Sequence, residues 1–362
     1  MEITTRQLCL IIFINIFAVK ALSLPSVLFK QAGTDSIFVI LIAILLEIVI
    51  WYVLIKVFTR LSNTDFASSI RSFLGEFGSK FICLLVLVLY LIKLLFFFKG
   101  TLSFVFDTLT NEITWQSIVV PALLVCCFVA YRGVCTIGRL TEVLFPFVFF
   151  GLIIALAFSC IDLPIDGILP LFTHPAGDIL SALVKTNLYY GNYILVFMFL
   201  GKVKVDKDFD KKVVKWLALS FVFLIGFLFI FYSTYNELGG LHQYAIADIA
   251  EFSLRVGSLA KFDWYISILM LLIIVLEIAM YVYVIFECLR SLFNKVNQSS
   301  LFLISSIALI VLYVLLELSP NVVDYLVLNV FNYFAVGVNI IIPIIMYLAL
   351  RKHRRKDNEK IV

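Results

Sequence analysis

Four ionisable side chains lie deep within long apolar runs: Lys20, Glu47, Lys93 and Glu277. A charge near the centre of a bilayer is costly unless it meets a partner or a water-filled cavity. Such groups either form structural ion pairs with one another or handle a ligand or a proton, and the sequence leaves both readings open. It also leaves open which lysine meets which glutamate. Tyr90 and Phe97 share a helical face with Lys93 at i−3 and i+4, and Tyr281 follows Glu277 by one turn. Lys99 is nearer a span end and is expected to snorkel to the interface. Glu142, beside Arg139, reads as half of an interfacial ion pair.

The same runs carry signals for interrupted helices. Lys20 lies in the segment AVKALSLP, where Pro25 has no N–H to offer the carbonyl of Ala21. Lys185 opens the segment KTNLYYGNY, with Asn187, Gly191 and Asn192. Unwound backbone at membrane depth is tolerated only where it is buried in protein or lines a cavity. Two interruptions at corresponding places in two halves of a chain point to inverted repeats with a ligand site at the midplane. On that reading the site is lined by Lys20, Ala21, Leu22, Ser23, Tyr90, Lys93, Leu94, Tyr190, Gly191, Asn192, Glu277 and Tyr281. The plainer reading is a proline kink and a glycine packing contact. Asn329, Asn332 and Asn339 in the last apolar run are expected to bind helices to one another.

The elements that must position these groups are membrane spans. Of the 362 residues, 63% are hydrophobic and only 14% charged, and the mean hydropathy is +1.10. A soluble domain has about 25% charged residues, so no soluble fold could hide this surface. About 20 apolar residues cross a bilayer. Spans are expected at roughly 8–28, 37–57, 81–101, 117–134, 140–160, 179–200, 216–235, 264–286, 300–317 and 325–350. With the N-terminus inside, 21 of the 28 Lys and Arg residues fall in cytoplasmic segments or, for Lys56 and Arg132, at the cytoplasmic ends of spans; four more lie within spans and three outside: Lys30, Arg255 and Lys261. That bias satisfies the positive-inside rule and puts both termini in the cytoplasm. The expectation is an all-α polytopic membrane protein, a single transmembrane domain over 1–350 with repeats at about 8–160 and 179–350. A basic tail at 351–362 follows, suited to anionic lipid. Non-spanning helices are expected at 64–77 on the inner side and 245–260 on the outer, the latter with a Glu251–Arg255 pair.

Several function classes are excluded. The net charge of +4 is too small to suggest nucleic acid. Seven cysteines show no metal spacing, and no metal or cofactor is expected. The three histidines lie in loops or the tail, and no H-E-x-x-H, G-x-S-x-G or Walker motif is present, so no enzyme is read here.

Short motifs then carry a resemblance over essentially the whole chain. They are Leu24-Pro25, Leu74-Gly75 with Gly78, and Tyr131 with Gly133. Gly138-Arg139 follows, with Glu142 and Pro146, then Ile168-Leu169-Pro170-Leu171-Phe172 and Phe262-Asp263. With these the chain resembles the B subunits of nutrient germinant receptors of bacterial spores, within the amino acid/polyamine/organocation transporter superfamily. The resemblance implies about ten spans in the five-plus-five inverted-repeat fold, with helices 1 and 6 broken. It implies a small nutrient, often an amino acid, bound between helices 1, 3, 6 and 8. It also implies assembly with an A subunit and a lipid-anchored C subunit in the spore inner membrane, where binding triggers germination and ion release. Two positions depart from the family pattern: Lys20 where a small residue is typical, and Asn192 where many relatives place a carboxylate. A lysine lining the pocket favours a ligand with a carboxylate, or replacement of a coupling cation. The alternatives are a proton- or cation-coupled amino acid symporter and a structural subunit without a ligand.

Overall fold

The computed structural model describes residues 2–61, 64–108, 115–160, 163–164, 173–254, 262–293, 296–317 and 325–359. The expected loop motif Ile168–Phe172 and the partner Arg255 of the outer helix fall outside the described residues.

The chain enters through β1 (Ile3–Thr4), which pairs in parallel with β2 (Val203–Lys204). Thr4 then caps α1 (Thr5–Ala32): its hydroxyl accepts from Gln7 N–H at 3.2 Å, and Gln7 Oε1 accepts from Thr4 N–H at 3.0 Å. This reciprocal box satisfies two of the donors a helix start leaves over. Gly33, at φ +52°, ends α1, and a single 3₁₀ turn leads to α2 (Ser36–Leu61). In that turn the buried Asp35 carboxylate accepts from His174 N–H (2.8 Å) and from the Thr173 hydroxyl (3.1 Å), fastening the distant segment that leads into α6.

The inner helix expected at 64–77 and the third span form one element, α3 (Phe66–Thr108), bent at Gly75, where φ is +78°. Glycine permits that left-handed conformation at little cost. Across the bend the Ser79 hydroxyl donates to the Ala67 carbonyl at 3.0 Å. Next come α4 (Trp115–Arg132) and α5 (Val134–Ser159), turned sharply at Gly133. The sixth span is divided into α6 (Ala176–Lys185) and α7 (Tyr193–Phe197). Then follow α8 (Phe209–Tyr235), the short outer α9 (Ala245–Leu254), α10 (Phe262–Leu292) and α11 (Gln298–Glu317). A π-helical turn, Val327–Phe331, opens α12 (Asn332–Glu359), which runs on into the basic tail.

Six stretches among the described residues are long and apolar enough to cross a membrane, Thr5–Leu61 holding both α1 and α2, and shorter apolar helices lie at Ser117–Arg132 and Gln298–Val314. With a surface this apolar, the chain is a multi-pass integral membrane protein. Nine of the ten expected spans overlap these helices; the sixth, 179–200, falls on the divided segment that holds α6 and α7. Burial explains the layout. Tyr193 to Leu200 are buried on every side, and α1 is buried from Leu8 to Leu22, so these two elements form the centre of the bundle. α2, α8 and α12 instead expose one apolar face, such as Leu45, Val222 and Ile344. α10 packs along α3, and α1 along α8.

Candidate ligand-binding site

The sixth span is interrupted where the sequence suggests. Thr186 closes α6 by donating its hydroxyl to the Ala182 carbonyl (2.8 Å), and the chain then makes one 3₁₀ turn at Asn187–Tyr189. Tyr190 is extended, Gly191 has φ +82°, and α7 begins at Tyr193. A Cβ at residue 191 would run into the side-chain amide of Asn339, so both the dihedral and the space require glycine. Buried backbone groups freed by such a break need partners, and side chains supply them. Asn332 Oδ1 accepts from Leu188 N–H (2.9 Å), and the Tyr190 carbonyl accepts from Lys93 Nζ (2.6 Å). Asn339 Nδ2 donates to Asn187 Oδ1 (2.8 Å), while Tyr193 OH donates to the Asn339 carbonyl (2.8 Å). Two of the three asparagines of the last apolar run thus fasten α12 to the break. Asn329 is exposed and bonds to the Tyr325 carbonyl of its own helix.

The first span differs from expectation. α1 runs through Pro25 without a break. A proline removes one N–H without obliging the helix to unwind, and Tyr232 OH donates to the Pro25 carbonyl (3.0 Å). Side chains from elsewhere address an earlier turn of the continuous helix. Val19 N–H, whose helical acceptor is the Asn15 carbonyl, donates to Glu277 Oε2 at 3.2 Å. The Asn15 carbonyl accepts from Asn192 Nδ2 at 2.7 Å. Side chains from α10 and from the sixth-span break thus address both ends of one helical backbone pair.

The four deep charges pair in two different ways. Lys20 Nζ lies 3.2 Å from both Glu47 oxygens, a direct ion pair between α1 and α2, and 4.9 Å from the centre of the Tyr190 ring. Lys93 and Glu277 are joined through an amide: Lys93 Nζ donates to Asn192 Oδ1 (2.9 Å), and Asn192 Nδ2 donates to Glu277 Oε1 (3.0 Å). Tyr281 OH donates to the same Glu277 oxygen at 2.5 Å. Exposure is 2% for Lys20, 5% for Glu47 and 0% for Lys93 and Glu277, so the whole arrangement is dry. Aromatic rings close it on two sides: Tyr90 against Tyr281 at 5.5 Å, and Phe97 against Tyr189 at 5.1 Å.

Of the expected lining residues, Tyr90, Lys93, Tyr190, Gly191, Asn192, Glu277 and Tyr281 come together here, with Lys20 reaching them across the Tyr190 ring. Ser23 bonds Tyr189 OH instead (2.9 Å), beside the Phe97 ring. Ala21, Leu22 and Leu94 are buried and apolar, outside the polar network. The expected set omits Asn15, Glu47, Tyr189 and Asn339. Asn15 has a legible signal, being the one amide in the apolar run from Leu8 to Val19. Glu142 bonds Gln7 (3.1 Å) and faces Arg6 (3.4 Å) rather than Arg139, because the N-terminus folds back across α5. Lys185 reaches Gln31 at 3.4 Å.

Toward the end of the bundle that holds the N-terminus lies a cavity of about 510 Å³ lined by Tyr131, Arg132, Lys202, Tyr283, Glu287 and Arg290 among others. Lys202 Nζ is 2.8 Å from Glu287 Oε2 and 2.5 Å from Tyr283 OH, tying the chain just after the sixth span to the end of α10.

Such a centre offers unwound carbonyls to a cationic group and a helical N–H to a carboxylate. The chain's own Lys93 and Glu277 hold those two positions here.

Comparison with known proteins bears on what this geometry serves. The model of a family described as spore germination protein matches residues 2–321. No curated protein sequence matches the chain. Among solved structures, MhsT in complex with L-phenylalanine superposes with a TM-score of 0.64 at 13% identity, covering 95% of each chain. That likeness shows the expected inverted-repeat fold.

Proposed function

The chain belongs to the spore germination protein family, and from that premise we propose that it is the nutrient-binding membrane subunit of a germinant receptor. It is a non-enzymatic membrane protein with a role in binding or moving a nutrient. The observation that carries the finer reading is the dry junction of α1, α3, the sixth-span break and α10. There two charges and an amide address backbone groups in the middle of the bundle. Buried charges are costly, and a merely structural bundle could replace them with apolar side chains. The ligand is a small molecule bearing an ammonium and a carboxylate, most simply an amino acid. Its ammonium would take the Tyr190 carbonyl and its carboxylate the Val19 N–H, displacing the Lys93 and Glu277 contacts that hold the helices closed. The rearrangement would pass to A and C subunits in the spore inner membrane, with both termini in the cytoplasm, and trigger germination and ion release. MhsT, whose fold the chain shares, is seen with an amino acid bound, which favours a second reading: an amino acid symporter driven by protons or cations.

One experiment separates the two. The gene is deleted in the spore former that carries it. Germination on single nutrients and uptake of those nutrients by growing cells are then scored. The receptor reading predicts lost germination on particular nutrients with normal uptake. Lost uptake with normal germination establishes the symporter instead.

A further inference from the structure

Nothing in a nutrient-binding role requires Lys93 to reach the sixth-span break, yet its ammonium occupies the most cation-attracting point of that break. The Tyr190 carbonyl is freed from any helical partner by the extended conformation at 190 and the left-handed one at 191. In spans interrupted this way, unwound carbonyls coordinate monovalent cations. Here the carbonyl and Asn192 Oδ1 converge on one point, and Lys93 Nζ stands there at 2.6 and 2.9 Å from them. Both oxygens belong to the break, and the lysine arrives from another helix, α3.

We propose that the sixth-span break is a monovalent-cation seat filled, in the ligand-free chain, by the Lys93 ammonium in place of an alkali cation, so that the site works without any dissociable alkali cation.

Two further observations support it. The first is charge balance. Lys20, Glu47, Lys93 and Glu277 are two cations and two anions, all buried. An added sodium ion would leave one uncompensated positive charge in a dry interior, which is strongly unfavourable. Removing the Lys93 charge has the opposite effect and leaves one anion in excess, which a small cation can cancel. The second is the separateness of the other lysine. Lys20 is fully engaged by both oxygens of Glu47 on α2, so it cannot be the group that serves the break. Lys93 is linked to a carboxylate, Glu277, through the Asn192 amide. The ammonium is therefore held by neutral oxygens first, as a coordinated ion is, with a carboxylate one step away.

This inference rests on the ligand-site reading only for the location of the site. Its test uses cations alone, so the nutrient reading stands or falls separately. The full-length chain is purified in detergent and its thermal unfolding is recorded in choline, sodium and methylammonium chlorides at equal ionic strength. Wild type should unfold at the same temperature in all three. Lys93→Ala removes the amine and leaves its space. Its Tm should be lower in choline and rise by roughly 2 °C when methylammonium is at about tenfold its Kd. If Lys93→Ala does not accumulate in cells, the yield of monodisperse protein becomes the readout. Methylammonium in the growth medium should then restore it, and choline should not. A sodium-dependent rise in the wild-type Tm would reveal a vacant cation site and overturn the proposal. So would a Lys93→Ala protein indifferent to methylammonium in both readouts.

Discussion

Gly191→Ala tests how the sixth-span break is built. At φ +82° an alanine takes on the left-handed penalty, about 1–2 kcal/mol. Its Cβ would also overlap the Asn339 side-chain amide, which must move. Moving it breaks the buried 2.8 Å bond from Asn339 Nδ2 to Asn187 Oδ1, about 0.5–1.5 kcal/mol. The single variant should therefore lose roughly 2–3 kcal/mol. Asn339→Ala loses that same bond, about 1 kcal/mol, while the bond from Tyr193 OH to the residue-339 main-chain carbonyl survives. The double variant loses the bond once, not twice. Its cost should fall short of the sum of the singles by about 1 kcal/mol. Equilibrium unfolding of the purified full-length chain, followed by tryptophan fluorescence, measures the cycle. Strict additivity, within about 0.5 kcal/mol, would refute the claim that Gly191 is required by contact with Asn339.

The two classes of ion pair should respond differently. Lys20→Ala strands Glu47 in the interior and should cost about 3–5 kcal/mol, whereas Lys20→Met with Glu47→Leu should recover most of that loss; unfolding of the three proteins decides it. Lys202→Met removes a pair whose members are each nearly a quarter exposed, and should cost only about 1 kcal/mol in the same assay. Glu277→Gln leaves Lys93 as an unbalanced buried cation and should lower the Tm, and adding Lys93→Met should raise it again by removing that charge. A double variant less stable than Glu277→Gln would show that the two groups do not compensate each other.

The legible part of this centre is the part written in single side chains. A lysine or glutamate inside an apolar run is visible without any structure, and so is a Gly-Asn dipeptide beside aromatic residues. Which charges meet is not visible, because it depends on the rotation of α1, α2, α3 and α10 about their axes. In the structure Lys20 faces α2, and Lys93 faces the break. Proline drew the expected interruption of the first span to residue 25, but a missing N–H weakens a helix without obliging it to unwind. The turn of α1 that the site addresses, Asn15 to Val19, is met by Glu277 and Asn192, which reach it from elsewhere in the chain. The bend at Gly75 and the fold-back of Arg6 and Gln7 onto Glu142 were hidden for the same reason: each is settled by contacts between distant segments.

The central claim is that Asn192 and the groups it joins form the nutrient site. Asn192→Leu keeps the side chain's size while cutting the bridge between Lys93 and Glu277 and the bond to the Asn15 carbonyl. The decisive measurement is the germination dose–response of spores carrying this variant at the native locus, on the nutrient lost in the deletion strain, with abundance in the inner membrane checked by immunoblot. The account predicts normal abundance and a half-maximal concentration raised at least about tenfold, the effect of roughly 1.4 kcal/mol of lost binding. An unchanged dose–response at normal abundance would contradict it.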